Sequence, residues 1–288
     1  MVGITAPLDW TGGPAMAWVI CAATLYWLGG RHGAAATHGS ADRWRLASFA
    51  LGLVAIVAAL GSPIDGFADS LFWAHMVQHV LLIAVAPPLL ALARPWNRMW
   101  RGLPLELRRP IARAVTRDPR LGPLRRTARF IADPLPSWLI FNLTFLAWHL
   151  PGLYDAALRN SAIHALEHAL FFSTALLFWT RVVYSPPWRS PLSEAGKIVY
   201  LGTTMIAGWV LAIVLALAQS PIYSAYANQP TRPGGISALA DQQLAAGIMW
   251  VPGSLPFAIA LVVIAYRWLE PRAPAKRRPG IGSVPQSP

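Results

Sequence analysis

The sequence predicts an all-α, polytopic membrane protein of seven transmembrane helices, with its N-terminus outside and its C-terminus cytoplasmic. Three observations carry this prediction. Of 288 residues, 55% are hydrophobic and only 12% are charged, with a mean hydropathy of +0.44; a soluble globule of this size needs about a quarter of its residues charged to dress its surface. Seven apolar stretches approach the roughly 17 to 25 residues that a helix needs to cross the hydrocarbon layer. Basic residues fall almost entirely in alternate connections, which is the mark of cytoplasmic loops.

The spans run roughly over 14–30, 44–61, 70–93, 135–150, 162–184, 197–219 and 242–269. No basic stretch precedes the first and no small-residue cleavage site follows it, so it reads as a retained span rather than a signal peptide. The fourth is short, because Pro134 and Pro136 fix its start and Pro151 its end. The seventh contains Pro252 and Pro256, which delete backbone donors and should kink it. Residues 1–270 thus form one transmembrane domain, and the Pro-, Gly- and Arg-rich stretch 271–288 reads as a disordered cytoplasmic tail.

The net charge of +12 raises the question of a nucleic-acid partner, and the placement of the charges answers it. Of the 24 Lys and Arg residues, 22 lie in loop 31–45, segment 94–133, the connection between spans five and six, and the end of the chain. Only Arg159 and Arg232 fall on the other side. The charge is therefore a topology signal. Segment 94–133 carries eleven arginines, with Leu107, Ile111 and Val115 at helical spacing and a second helix start at Asp118-Pro119. It reads as a pair of interfacial helices lying on anionic lipid headgroups, with no nucleic-acid partner.

Five histidines fall in or beside spans: His75 and His79 in the third, His149 at the end of the fourth, His164 and His168 in the fifth. With the topology above, all five lie in the outer half of the membrane. At 1.5 Å per residue, His79 and His168 sit roughly 9 to 14 Å below the outer boundary and the other three are shallower. Each doublet is spaced i, i+4, which puts both imidazoles on one helical face, about 5 to 6 Å apart at Cβ. Two neutral imidazoles so placed can grip one metal ion, and a partner helix can complete the set. Gln78 and Glu167 stand within the doublets, each able to orient a ring through its other nitrogen. Met249 lies at similar depth in span seven, behind Asp241 and Gln242. A lone histidine in a membrane helix is usually satisfied by a carbonyl or a neighbouring side chain, but five at overlapping depth point to a metal or cofactor site rather than a proton relay or a purely structural network. His32 and His38, in a cytoplasmic loop, receive no role.

A single cysteine, Cys21, rules out a disulfide framework and any Cys-x-x-Cys motif; mid-span, it is expected to pack. An imidazole-rich site with optional thioether and carboxylate suits copper or zinc, and the affinity order favours copper. His164-Ala-Leu-Glu-His168 also fits the H-x-x-E-H order of inverzincin peptidases, which would make the chain an intramembrane zinc metallopeptidase. Bis-histidine haem is a third option, although the doublets suit a small ion better. Because ligating imidazoles must be deprotonated, binding should weaken below about pH 6.5. The octets beginning His75-Met-Val-Gln-His79 and His164-Ala-Leu-Glu-His168 resemble one another, so a parallel internal repeat would bring them face to face.

At these residues the chain resembles the CtaG-type cytochrome c oxidase assembly factors, multi-span bacterial membrane proteins. The resemblance rests on Ser62-Pro63, the His75 to His79 helix and Ala86-Pro87-Pro88-Leu89-Leu90. It continues through Trp148-His149-Leu150-Pro151, Leu153-Tyr154-Asp155-Ala156-Ala157, His164 to His168 with Phe178-Trp179, Asp241-Gln242-Gln243 and Met249-Trp250-Val251-Pro252-Gly253, covering roughly residues 60 to 270. It implies a protein of the bacterial inner membrane that handles copper on the outer face, serves a haem–copper oxidase and its subunits as partners, and is not an enzyme. It also implies His75, His79, His149, His164 and His168 as metal ligands, with Glu167, Asp241 and Met249 in support.

Overall fold

Most helices of this chain start where the sequence offers a cap or a proline. The computed structural model describes residues 13–31, 40–183, 185 and 192–270. It is helical throughout, with no β-strand among the described residues. The tail 271–288, His32 and His38 lie outside the described residues.

Helix α1 spans Gly13–Arg31 and α2 spans Ser40–Leu60. Ser62 then accepts the Ile64 amide and Pro63 occupies the first turn, which starts the short α3, Pro63–Ala68. The third expected span is a composite of α4, Phe72–Val80, a π-helical turn over Leu81–Val85 and α5, Ala86–Ala93. The carbonyl of Ile83 would accept from residue 87 in an α-helix or from residue 88 in a π-helix, and both are proline, which has no N–H. The indole N–H of Trp179 donates to that carbonyl instead, at 3.2 Å.

The basic segment forms α6 over Trp96–Gly102, α7 over Leu105–Arg117 and α8 over Gly122–Ile131. Asp118 accepts the Arg120 amide and opens the turn between the last two. The apolar stripe Leu107, Ile111 and Val115 is exposed on α7. Glycine is required where α1 meets α6: a Cβ at Gly29 would overlap the Arg98 carbonyl, and one at Gly102 the Leu25 carbonyl. Arg98 seals the contact by donating to the Tyr26 carbonyl at 2.9 Å and lying over its ring.

Helix α9 covers Pro134–Trp148 and α10 covers Pro151–Arg159. Asn160 then accepts the amides of Ala162 and Ile163 and starts α11, Ser161–Val182. After it come α12, Glu194–Leu217, the single turn α13, Ser224–Ala227, and α14, Ala238–Leu269, which continues across Pro252 and Pro256.

Five of these elements are long and apolar enough to cross a membrane: α2, the α4 to α5 composite, α11, α12 and α14. A sixth candidate is the pair formed by residues Pro119–Ile131 and Pro134–Trp148, bent by 76°. Helix α9 alone has 15 residues, about 22 Å of helix against a hydrocarbon core of about 30 Å. Helix α1 lies where the first span was expected, with 19 residues, and is not among the five. The α4 to α5 composite is the most enclosed candidate and packs against α2, α11 and α14. Cys21, expected to pack, is exposed, since α1 meets the rest of the chain chiefly along α6 and α2.

Candidate metal centre

The i, i+4 doublets of α4 and α11 meet face to face. Their ring centroids are 4.9 Å apart for His75 and His164 and 5.5 Å for His79 and His168. Each of the four residues offers a nitrogen, and these four atoms all lie within 4.8 Å of one another. His75, His79 and His168 are buried and His164 is partly so. Two nitrogens of a tetrahedral site bound at about 2.0 to 2.1 Å are about 3.4 Å apart, so the widest pair closes on a metal by up to about 1.4 Å, roughly 0.7 Å for each ring. The residues fit a small imidazole-bound ion.

The hydrogen bonds select which nitrogens are free. Tyr226, on α13, donates its hydroxyl proton to the Ala68 carbonyl at 2.5 Å, so its oxygen accepts from His75 Nδ1–H at 2.9 Å. His75 Nε2 is then the bare nitrogen, aimed at the cluster, and it accepts from His79 Nε2–H at 2.7 Å. That leaves His79 Nδ1 bare, and it is buried with no hydrogen-bond partner. Burial raises the Tyr226 phenol well above its ordinary range, which keeps it a donor to Ala68 at any working pH. The Nε2 atoms of His164 and His168 are likewise buried and without a hydrogen-bond partner. Three of the four imidazoles thus keep a buried nitrogen that no hydrogen bond uses, which suits a ligand set.

With this geometry established, comparison with known families becomes informative. A model of the cytochrome c oxidase caa3 assembly factor family, Caa3_CtaG, matches residues 24–271. The chain belongs to this family. Similar proteins include uncharacterized proteins of Mycobacterium bovis and Mycobacterium tuberculosis, each 25% identical over 233 residues. An uncharacterized protein of Mycobacterium leprae is 24% identical over the same length. In all three the match takes in 78% of this chain and 34% of the relative, so the Caa3_CtaG chain spans about a third of their length. No solved structure gives a significant match.

The other expected residues of this Caa3_CtaG chain take several places. Glu167 is fully buried between the doublets, its oxygens 3.9 Å from His75 Nε2 and 3.8 Å from His79 Nε2, and neither oxygen has a hydrogen-bond partner. It faces the same centre as the imidazoles. His149 flanks the four without joining them: its ring centroid is 6.3 Å from that of His79. Its Nδ1–H donates to the Phe145 carbonyl at 2.7 Å, leaving Nε2 bare, buried and without a hydrogen-bond partner. Asp241 gives both carboxylate oxygens to backbone amides, Phe72 at 2.9 Å and Trp73 at 3.0 Å. It therefore caps α4 from α14 and supports the site by fixing the helix that carries His75 and His79. Met249 lines a cavity beside His79 and His149. Gln78 does not orient a ring: its amide donates to the Ala59 carbonyl at 2.8 Å and to Asp65 at 2.6 Å. Burial raises the Asp65 carboxyl from its ordinary value, and that Gln78 bond opposes the rise.

Sequence reasoning missed the roof over the centre. Tyr226 and Tyr223 come from the short segment around α13; Tyr223 stacks on Tyr154 with centroids 4.0 Å apart and donates to the His149 carbonyl at 3.0 Å. Asp155 holds this segment by accepting the Ala225 amide at 3.0 Å and the Ser224 hydroxyl. An acid in the apolar run Leu153-Tyr154-Asp155 was the available signal for that anchor, whereas nothing local to Tyr226 pointed to it. Tyr226→Phe removes the acceptor that holds His75 in its tautomer. The affinity of the centre for an added metal ion should fall roughly 10- to 100-fold, the usual effect of losing such an outer partner, and the melting temperature should fall as well, because the Ala68 carbonyl and His75 Nδ1–H lose their partner. Competition with a chromophoric chelator measures it, and an unchanged affinity would exclude this positioning role.

Proposed function

We propose that this chain binds copper at the four-histidine centre and passes it to a haem–copper oxidase during assembly, without catalysing turnover. The observation that carries the reading is the convergence of four imidazole nitrogens from two helices, within 4.8 Å, in a chain of an oxidase assembly-factor family. Four neutral nitrogens and no thiolate suit copper in either oxidation state, and copper outranks zinc at nitrogen sites. A site closed by four protein ligands holds an ion rather than keeping a position open for substrate, which favours carriage over the zinc peptidase reading. Glu167 would supply a negative charge to offset that of the metal in a dry site.

In this reading the protein is a multi-pass protein of the bacterial inner membrane. It crosses seven times, with α1 and α9 as the first and fourth spans, the N-terminus outside and the C-terminus cytoplasmic. The centre then lies in the outer half, α7 rests on cytoplasmic headgroups through Leu107, Ile111 and Val115, and α8 lies at the same surface before the bend into α9. The partners are oxidase subunits and membrane lipids.

Metal analysis of the purified protein beside His79→Ala and His168→Ala tests the reading. Copper should accompany the parent chain, fall in both variants, and dissociate on acidification, because protons then compete for the imidazole lone pairs. Equal copper in all three proteins would remove the proposal; zinc in place of copper would return the peptidase, and a Soret band haem.

A further inference from the structure

Three of the chain's six methionines, Met76, Met205 and Met249, line one cavity of about 70 Å³ together with His79 and His149. They arrive from α4, α12 and α14, so the grouping belongs to the fold and not to one local stretch of sequence. Along α4 and the π-helical turn that follows it the cavity takes residues 76, 79, 80, 83 and 84, one helical face continuing from the four-histidine centre. Its other walls are largely apolar, with phenylalanines from α9 and α14.

Two features separate this cavity from an ordinary packing defect. His149 is 5% exposed, and its tautomer is fixed by the bond from Nδ1 to Phe145, so the lone pair on Nε2 is unspent; His79 Nδ1 is in the same condition. A buried acceptor left unmet costs about 1 to 3 kcal/mol. The remaining heteroatoms of the wall are mostly thioether sulfurs, which are poor hydrogen-bond partners but good ligands for a soft cation. The space exceeds the roughly 10 to 15 Å³ that a water-sized body needs.

We propose that this cavity is a second metal site, selective for Cu(I), with His149 Nε2 and the thioethers of Met76, Met205 and Met249 as its ligands. Neutral soft donors in an apolar wall suit a monovalent ion and disfavour Zn(II) and Cu(II), which want harder or charged ligands. His79 stands in the wall between this site and the four-histidine centre, so an ion held by sulfur has an imidazole of the next site beside it. The ligand assignment stands on its own residues; the role as a stage next to the four-histidine centre rests on the copper reading above.

The test is Cu(I) titration of the detergent-purified full chain under reducing, anaerobic conditions, with copper X-ray absorption on the loaded protein. The parent should take up about two Cu(I) and show sulfur scatterers. Met205→Leu with Met249→Leu, a nearly volume-conserving pair, should lose one equivalent and the sulfur signal while retaining the nitrogen-bound ion. His75→Ala with His168→Ala should lose the other equivalent and keep the sulfur signal. Sulfur-free copper in the parent, or an unchanged stoichiometry in the methionine variant, overturns the proposal. Loss of only the nitrogen-bound ion from every preparation would overturn the four-histidine reading and leave this one standing.

Discussion

On the copper reading proposed above, a chain carrying His75→Ala and His168→Ala keeps its helices and binds copper at the four-histidine centre about three to five orders of magnitude more weakly. One imidazole is removed from each helix, so neither doublet survives. Four-ligand structural sites bind with about 10 to 16 kcal/mol, roughly 2.5 to 4 kcal/mol per ligand. Losing two therefore removes about 5 to 8 kcal/mol, and each 1.4 kcal/mol is tenfold. Glu167, with two unpartnered oxygens beside the doublets, recovers part of that, which sets the lower end of the range. The fold survives because alanine is the better helix former, and because removing His168 deletes a buried nitrogen that had no hydrogen-bond partner. Chelator competition gives the affinity and circular dichroism the helix content. Copper affinity within tenfold of the parent would show that the doublets are not the ligands.

The second large effect is on stability. Asp241→Ala leaves the amides of Phe72 and Trp73 without their acceptor at a fully buried position. Each unmet amide costs about 1 to 3 kcal/mol, so about 2 to 6 kcal/mol is lost, and the melting temperature in detergent falls by several degrees. Asp241→Asn keeps one carbonyl oxygen and should fall between the two. Copper affinity should decline together with stability, because α4 carries His75 and His79. If Asp241 were itself a ligand, the asparagine variant would lose copper without losing stability, and that result would refute the capping role.

These effects mark where the sequence was readable and where it was not. The doublets were legible because helical spacing alone puts positions four apart on one face, and α4 and α11 do bring His75, His79, His164 and His168 together. His149 was harder to place: being at the end of α9, its orientation follows from the bond of Nδ1 to Phe145, a local choice that no spacing rule specifies. Gln78 was misjudged, and the way Asp241 supports the site was not foreseen, for one reason. A polar side chain in an apolar helix serves whichever buried donor or acceptor lies nearest in space, and for these two the partners are Asp65 and Ala59, and Phe72 and Trp73. Tyr226 was invisible because its partners, Ala68 and His75, lie more than 150 residues away in the chain. The short α9 was foreshadowed by its flanking prolines; the 76° bend before it was not.

The Trp179 bond to the Ile83 carbonyl acts on the centre from outside it. Sliding α11 by a single residue along α4 would carry its imidazoles about 1.5 Å, many times the roughly 0.2 Å over which a ligand distance can vary. The indole, on the same helix as His164 and His168, finds its acceptor only at one setting, and that acceptor exists because two successive prolines deny it any other. The bond thus works as a depth stop, registering one pair of ligands against the other before any ion arrives.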